Sequence, residues 1–181
     1  MTLDPATPDE LPAIAALVNG AYRGEGARRG WTTESDYIDG QRTDPATLRA
    51  DLEANPAARL LTLRDAPGGP LLGCVWLEPA EAGVWYLGML TVRPDLQDRR
   101  LGRSLLEAAE QVAADGGAQR IRMTVVNLRA ELIDWYERRG YALTGERRPF
   151  PYDEPQFGIP RRADLEFVVL ERTLARATSE V

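Results

Sequence analysis

The sequence contains no histidine and no lysine, and both absences restrict the chemistry that it can perform. All 22 basic residues are arginine. Without imidazole, the Ser-His-Asp and Cys-His nucleophile systems and histidine-ligated metal sites are excluded. Without lysine, a Schiff base and the lysine of a Walker phosphate loop are excluded as well. We therefore expect no metal site, and catalysis that depends on arginine, tyrosine, carboxylates, hydroxyls, backbone amides or a cofactor.

Cysteine and long apolar runs are also scarce. Cys74 is the single cysteine among 181 residues, so an internal disulfide is excluded and a reducing cytosol is favoured. No stretch reaches the roughly 18 apolar residues that a membrane helix needs. The formal net charge of -6 argues against a nucleic-acid surface. We expect a cytoplasmic protein that binds neither membrane nor nucleic acid.

Helical and strand-like hydrophobic periods alternate along the chain. Helical spacing runs from Pro8 to Tyr22, from Pro45 to about Leu52, from Leu101 to about Gly116, and through Leu132 to Gly140. Strand patterns cover Leu3 to Thr7, Arg59 to Arg64, Leu71 to Leu77, Val84 to Val92, Arg120 to Val126, Tyr141 to Glu146 and Leu165 to Leu170. This order predicts one α/β (α+β) domain over residues 1–174, with a mixed, mostly antiparallel sheet of about six or seven strands flanked by about four helices. Residues 175–181 are predicted to form a flexible tail.

The turn between the strand that ends near Val92 and the helix that begins at Leu101 carries the clearest chemical signal. The strand stops before Pro94, and the arginine-rich turn Gln97-Asp98-Arg99-Arg100-Leu101-Gly102 then opens an amphipathic helix. The first amides of a helix have no partner within it and can hold a phosphate. Arginines in the turn add positive charge to these amides. The pattern indicates a site for a phosphorylated ligand.

This turn resembles the pyrophosphate loop of the GNAT superfamily of acyl-CoA-dependent N-acyltransferases, which reads Gln/Arg-x-x-Gly-x-Gly/Ala. Arg100 stands in place of the first glycine of that loop. Val125-Val126-Asn127 resembles the end of the fifth strand of the family, and Tyr136 to Tyr141 resembles its helix-to-strand step. The resemblance covers about Leu3 to Leu174.

The resemblance implies a sheet splayed between its fourth and fifth strands, with acetyl-CoA bound in the splay and Asn127 beside the pantetheine arm. The backbone around Thr91 would pair with the pantetheine, and the turn would hold the pyrophosphate. The implied cofactor residues are Leu90, Thr91, Val92, Gln97, Asp98, Arg99, Arg100, Leu101, Gly102, Arg103, Ser104 and Asn127. Many members of the family form homodimers, and the sequence leaves the oligomeric state open.

The implied activity is transfer of an acetyl group from acetyl-CoA to a primary amine of a small molecule or peptide, by direct attack in a ternary complex. Tyr136 matches the family position that protonates the departing thiolate, a role open to a phenol. On spacing alone, Tyr136 could equally pack on the core side of its helix with Leu132 and Ile133. The alternative function is a non-catalytic acyl-CoA-binding sensor.

The base and the acceptor stay open at this point. Base candidates are a water chain, Glu34 and its neighbours Asp36 and Asp39, or Asp153 and Glu154. Acceptor-site candidates are Trp31 and Tyr37 in the loop after the first helix, Arg42, and Tyr152 in the link between the last two strands. The segment from Arg147 to Tyr152 in this link could cap the acceptor pocket. Loop carboxylates favour a cationic amine, whereas Arg42, Arg147 and Arg148 suit an acidic one.

Overall fold

The computed structural model describes residues 1–23, 27, 31 and 33–174. For residues 98 and 99 it describes the backbone but not the side chains. The predicted tail, residues 175–181, lies outside the described residues. Four α-helices are fully described: α1 (Leu11–Tyr22), α2 (Pro45–Ala54), α3 (Leu101–Asp115) and α4 (Ala130–Glu137). The seven strands of the sheet are β1 (Thr2–Pro5), β2 (Arg59–Arg64), β3 (Gly73–Glu81), β4 (Val84–Val92), β5 (Arg120–Val126), β6 (Ala142–Pro149) and β7 (Glu166–Thr173).

The strands form one mixed sheet in the order β1-β2-β3-β4-β5-β7-β6. Every neighbouring pair is antiparallel except β4 and β5, which are parallel. Parallel strands need a crossover, and α3 provides it between β4 and β5. The predicted mixed, mostly antiparallel sheet with flanking helices is confirmed.

Strands β4 and β5 separate along their carboxyl-terminal halves. They pair only where Val84–Tyr86 of β4 meets Arg120–Arg122 of β5. A register irregularity between β3 and β4 lies close to Met89, which has a positive φ of 52°. Such bulges bend a strand away from its neighbour. The predicted splay between the fourth and fifth strands is confirmed, and it opens a cleft at the ends of β4 and β5.

Helices cover both faces of the sheet and fix the walls of this cleft. On one face, Leu105 and Leu106 of α3 are buried against the sheet. On the other face, Ile14 of α1 and Leu48 of α2 pack around Cys74 of β3. Burying a leucine or isoleucine side chain contributes roughly 1.5–3 kcal/mol to the free energy of folding. These contacts therefore stabilise the helices on both faces of the sheet.

The loop after α1 and the link between β6 and β7 are joined into a cover over one end of the cleft. Ile38 pairs with Pro160, and Asp39 pairs with Ile159, in a short antiparallel ladder. The Arg161 amide also donates to the Tyr37 carbonyl at 2.8 Å. We call residues 33–44 and 150–161 together the loop cover.

Strand β6 extends further than the sequence pattern predicts. Arg147, Arg148 and Pro149 pair with β7 instead of starting the link. Arg147 forms an ion pair with Glu166, and both Arg147 and Arg148 are exposed. These two arginines therefore belong to an edge strand and do not cap a pocket.

Candidate active site

The cleft between β4 and β5 contains two adjoining cavities, of about 610 Å³ and 220 Å³. We call them the large cavity and the small cavity. Five residues line both: Tyr22, Leu90, Arg129, Leu132 and Tyr136. The two cavities therefore meet at a shared wall to which two tyrosines and one arginine contribute.

The large cavity lies against the turn that opens α3. Arg100 has φ 63° and ψ 8°, which is the left-handed conformation that a glycine adopts easily. The turn thus follows a glycine-like path although it carries an arginine. The Ser104 amide donates to the Arg100 carbonyl at 3.1 Å, which begins the helical hydrogen bonds. The amides just before it have no partner within α3 and are suited to an anion.

Positive charge predominates in the large cavity. Among its described lining residues, five arginines stand against two carboxylates: Arg100, Arg103, Arg129, Arg138 and Arg139, against Glu131 and Asp134. The net formal charge of this lining is +3. A polyanion such as a phosphorylated cofactor complements it.

Of the residues that the resemblance assigned to acetyl-CoA, six line the large cavity: Leu90, Val92, Gln97, Arg100, Gly102 and Arg103. Thr91 is buried and its hydroxyl donates to the Met89 carbonyl at 2.9 Å. Leu101 packs in the core, and Ser104 is not among the lining residues. The side chains of Asp98 and Arg99 lie outside the described part of the chain.

Asn127 does not line either cavity. Its side-chain amide donates to the Asp164 carbonyl at 3.0 Å and accepts from the Glu166 amide at 3.2 Å. The side chain therefore ties the end of β5 to the start of β7. Contact with a pantetheine arm stays a prediction that these hydrogen bonds do not favour.

An aromatic group that the sequence analysis missed forms one wall of the large cavity. Trp135 of α4 lies 6.1 Å from Trp31 between ring centroids, and the guanidinium of Arg139 stacks 3.6 Å from the Trp135 centroid. The Trp31 amide donates to Gln97 Oε1 at 3.1 Å. Trp31, predicted to line the acceptor site, lies on the large cavity instead.

Tyr136 lies at the shared wall with 5% of its surface exposed. Its ring makes edge contacts with Trp135 at 5.0 Å and with Tyr141 at 5.6 Å. Burial raises the pKa of the Tyr136 phenol, and the neighbouring Tyr22 raises it further. Within the described residues, no hydrogen bond to the Tyr136 hydroxyl is present. The phenol is therefore protonated at neutral pH and available to a ligand.

The small cavity lies beneath the loop cover and contains a buried ion cluster. The Glu34 carboxylate accepts from Arg129 Nη1 at 2.8 Å and forms a second ion pair with Arg23. Burial alone would raise the pKa of Glu34, but Arg129, Arg23 and Arg42 together hold it below its ordinary value. A carboxylate with a lowered pKa is a weak proton acceptor, so this geometry does not favour Glu34 as the base.

The other predicted acceptor residues have different surroundings. Arg42 lines the small cavity as expected. Tyr37 packs beside Ile38 in a buried cluster and is not among the lining residues. Tyr152 does not line the cavity either, and its hydroxyl accepts from the Leu165 amide at 2.8 Å. Phe150, which belongs to the predicted capping segment, lines the small cavity, and so does Tyr136. The other aromatic lining residues were not singled out in the sequence analysis: Tyr22, Tyr86, Phe157 and Phe167.

No helix in the described part of the chain is both long enough and apolar enough to cross a membrane. Within the same part of the chain, no group of three or more cysteine, aspartate or glutamate side chains is arranged to hold a metal ion.

Comparisons with known proteins agree with this fold. The family described as "Acetyltransferase (GNAT) family" matches residues 17–141. Mycothiol acetyltransferase of Beutenbergia cavernae is 30% identical over 101 residues, which are 56% of this chain and 32% of that protein. The match thus spans about a third of the length of this curated relative.

Solved structures of acetyltransferases share the fold. A ribosomal-protein-alanine N-acetyltransferase from Brucella melitensis has a TM-score of 0.69 and 16% identity, and the match covers 96% of this chain and 100% of that one. A GNAT family acetyltransferase from Elizabethkingia anophelis, solved with acetyl-CoA bound, has a TM-score of 0.57 and 16% identity over 73% of this chain and 86% of that one. The chain belongs to the GNAT family of acetyltransferases.

Proposed function

We propose that the protein transfers an acetyl group from acetyl-CoA to a primary amine of a small molecule or peptide, while both substrates are bound. The observation that carries this proposal is the position of Tyr136, whose side chain lines both cavities. The large cavity is suited to the cofactor and the small cavity to the amine. The phenol between them lies where the two substrates would meet.

The residues of the large cavity fit acetyl-CoA. Its phosphates would be held by the first amides of α3 and by Arg100, Arg103 and Arg139. Leu90 and Val92 offer an apolar path toward the shared wall. Bound acetyl-CoA would supply an activated thioester. The binding energy of its phosphates, which lie far from the thioester, would help to hold the reacting carbonyl in place.

In the proposed reaction, the amine nitrogen forms a bond to the acyl carbon as the carbon–sulfur bond breaks. Tyr136 donates its phenolic proton to the leaving sulfur. The proton that the amine loses on becoming an amide returns to the phenol through solvent. The raised pKa of Tyr136 keeps the phenol protonated at neutral pH, and a general acid must be protonated before the reaction.

The proposal does not require Glu34 as a base. Glu34 would instead position Arg23 and Arg129, whose charges its carboxylate compensates. The small cavity has more arginines than carboxylates among its described lining residues. Positive charge disfavours a charged ammonium, so the cavity would lower the pKa of the bound amine and favour its neutral, nucleophilic form.

The test is release of free thiol from acetyl-CoA in the presence of a panel of amines, alongside thermal stabilisation by acetyl-CoA. Cys74 does not disturb this assay, because it is fully buried and burial raises the pKa of its thiol to about 12. We expect stabilisation and amine-dependent thiol release. Stabilisation without turnover of any amine would favour the acyl-CoA sensor. No stabilisation by acetyl-CoA would contradict both functions.

A further inference from the structure

We propose that the acceptor is an amine that also carries a carboxylate, and that Arg42 binds this carboxylate. The inference rests on the proposed function and names the substrate class of the small cavity. Three features of that cavity support it: the charges of the lining, the surroundings of Arg42 and the aromatic character of the remaining wall.

The lining of the small cavity is positively charged. Among the described lining residues, Arg23, Arg42 and Arg129 stand against the single carboxylate of Glu34, which leaves a net formal charge of +2. The Glu34 carboxylate is already shared between Arg23 and Arg129. It therefore cannot attract a cationic group at full strength, and a polyamine or aminoglycoside would meet repulsion here.

Arg42 is the arginine of this cavity that is left for a ligand. Its guanidinium has neither an ion pair nor a hydrogen bond within the described residues, and the side chain is half-buried. By contrast, Arg23 and Arg129 are both committed to Glu34. A guanidinium in a partly buried cleft binds a carboxylate in bidentate fashion more strongly than a neutral group.

The backbone of Arg42 is fixed before any ligand arrives. Asn19 Oδ1 accepts from the Arg42 amide at 2.7 Å and from the Thr43 amide at 3.2 Å. Asn19 Nδ2 donates in turn to the Thr43 carbonyl at 2.8 Å. These three bonds attach the loop to α1 and hold Arg42 at the cavity. Preorganisation of this kind lowers the entropic cost of binding.

A second polar group in the same cavity lacks a partner. Arg23 is 6% exposed, and its Nε–H is buried without a hydrogen bond within the described residues. This atom has almost no accessible surface, so it faces protein atoms and not the open part of the cavity. Arg42 is therefore the arginine of this cavity that favours a ligand with acceptor oxygens.

The rest of the cavity favours a compact apolar or aromatic body. Phe150, Phe157 and Phe167 line it, and Phe157 lies at its exposed edge. The volume of about 220 Å³ is below the range of about 300–1,000 Å³ that is common for ligand pockets. An amino acid with an apolar or aromatic side chain combines this size, this body and a carboxylate beside its amine.

The experiment compares each amino acid with the amine that lacks only its carboxylate. Suitable pairs are phenylalanine with 2-phenylethylamine, tryptophan with tryptamine, and leucine with isoamylamine. The rate of acetylation is measured for each member as the release of free thiol from acetyl-CoA. We expect the carboxylate-bearing member of at least one pair to have a kcat/KM about 10-fold or more above its partner, since a charged hydrogen bond is lost in the partner.

Arg42→Gln separates this preference from general effects on the protein. It should raise KM for the amino acid about 10-fold or more, and change kcat/KM for the matching amine by a clearly smaller factor. Arg42→Lys, which keeps the charge, should recover part of the preference. Arg49→Gln is the matched control, because Arg49 is an exposed arginine of α2 outside both cavities.

The outcomes distinguish this inference from the proposed function. Turnover of the decarboxylated amines at rates equal to or above those of the amino acids would overturn the carboxylate inference and leave acetyl transfer to amines intact. An equal loss for both members of a pair in Arg42→Gln would also overturn it. No turnover of any amine, with acetyl-CoA bound, would overturn the proposed function itself and the inference with it.

Discussion

Glu34 and Arg129 lie 95 positions apart in the chain and form an ion pair of 2.8 Å between Oε1 and Nη1. Glu34 is 6% exposed and Arg129 is 8% exposed. The second oxygen of Glu34 accepts from Arg23 at the end of α1. One carboxylate therefore joins α1, the loop cover and the start of α4 at the wall between the two cavities.

Replacement of Glu34 by glutamine should destabilise the protein by about 3–5 kcal/mol, because it leaves two buried guanidinium groups without their counter-charge. The free energy of unfolding in urea measures this effect. Glu146→Gln is the control: Glu146 pairs with Arg148 at the surface, so its loss should change stability by less than about 0.5 kcal/mol. Similar small effects for both variants would show that the cluster around Glu34 contributes little.

The same cluster predicts a pH dependence of stability. The pKa of Glu34 in the folded protein lies below its ordinary value of 4.5. In the unfolded chain, Glu34 takes up a proton near its ordinary pKa of 4.5, whereas in the folded protein it does so only at a lower pH. The stabilisation by the Glu34 ion pairs is therefore complete above pH 4.5 and is lost as the pH falls toward the folded pKa. The difference in unfolding free energy between wild type and Glu34→Gln should shrink as the pH drops below about 4.5. A constant difference from pH 7 to pH 3 would contradict the lowered pKa.

Arg100 carries a cost in backbone conformation that glycine would avoid. A non-glycine residue in the left-handed region costs roughly 1–2 kcal/mol. Arg100→Gly and Arg100→Ala both remove the guanidinium, so the difference between them isolates the backbone. We expect the glycine variant to be more stable than the alanine variant by about 1 kcal/mol in urea denaturation. The KM for acetyl-CoA should rise by the same factor in both variants, because both lose the guanidinium. Equal stability of the two variants would contradict the left-handed turn.

Gly158 fixes the loop cover at a point where a side chain does not fit. At its φ of 100°, an added Cβ would lie 2.5 Å from Ile38 Cγ2 and 2.8 Å from the Asp39 carbonyl oxygen. Gly158→Ala should lower stability by about 1–3 kcal/mol more than Gly68→Ala, which has a positive φ but open space around it. The KM for the acceptor should rise in Gly158→Ala, while the KM for acetyl-CoA stays unchanged. Equal effects of both substitutions would remove the steric argument.

The helices, the strands and the cleft could be predicted because each depends on local patterns or on a motif. Alternating hydrophobic residues mark the strands, and the residue types from Gln97 to Gly102 are enough to indicate a phosphate-binding helix start. Arg100 shows the limit of this reasoning, because its side chain gives no sign that its backbone adopts the glycine conformation.

The acceptor side could not be predicted in the same way, because its residues meet only through long-range packing. Arg129 follows a strand closely and carries no periodic signal, yet it pairs with Glu34 in the buried cluster. Trp31 and Tyr37 share one loop, but Trp31 lies on the large cavity while Tyr37 packs against Ile38. A sequence pattern identifies a polar loop but not the partner that each side chain reaches.

The central claim is that Tyr136 protonates the leaving thiolate during acetyl transfer, and single-turnover thiol release tests it most directly. Tyr136→Phe should slow this step about 100-fold or more, with acetyl-CoA affinity nearly unchanged. Tyr141→Phe is the matched control, because the Tyr141 hydroxyl donates to Glu110 at 2.9 Å, away from both cavities. A single-turnover rate in Tyr136→Phe equal to that of wild type would contradict the account.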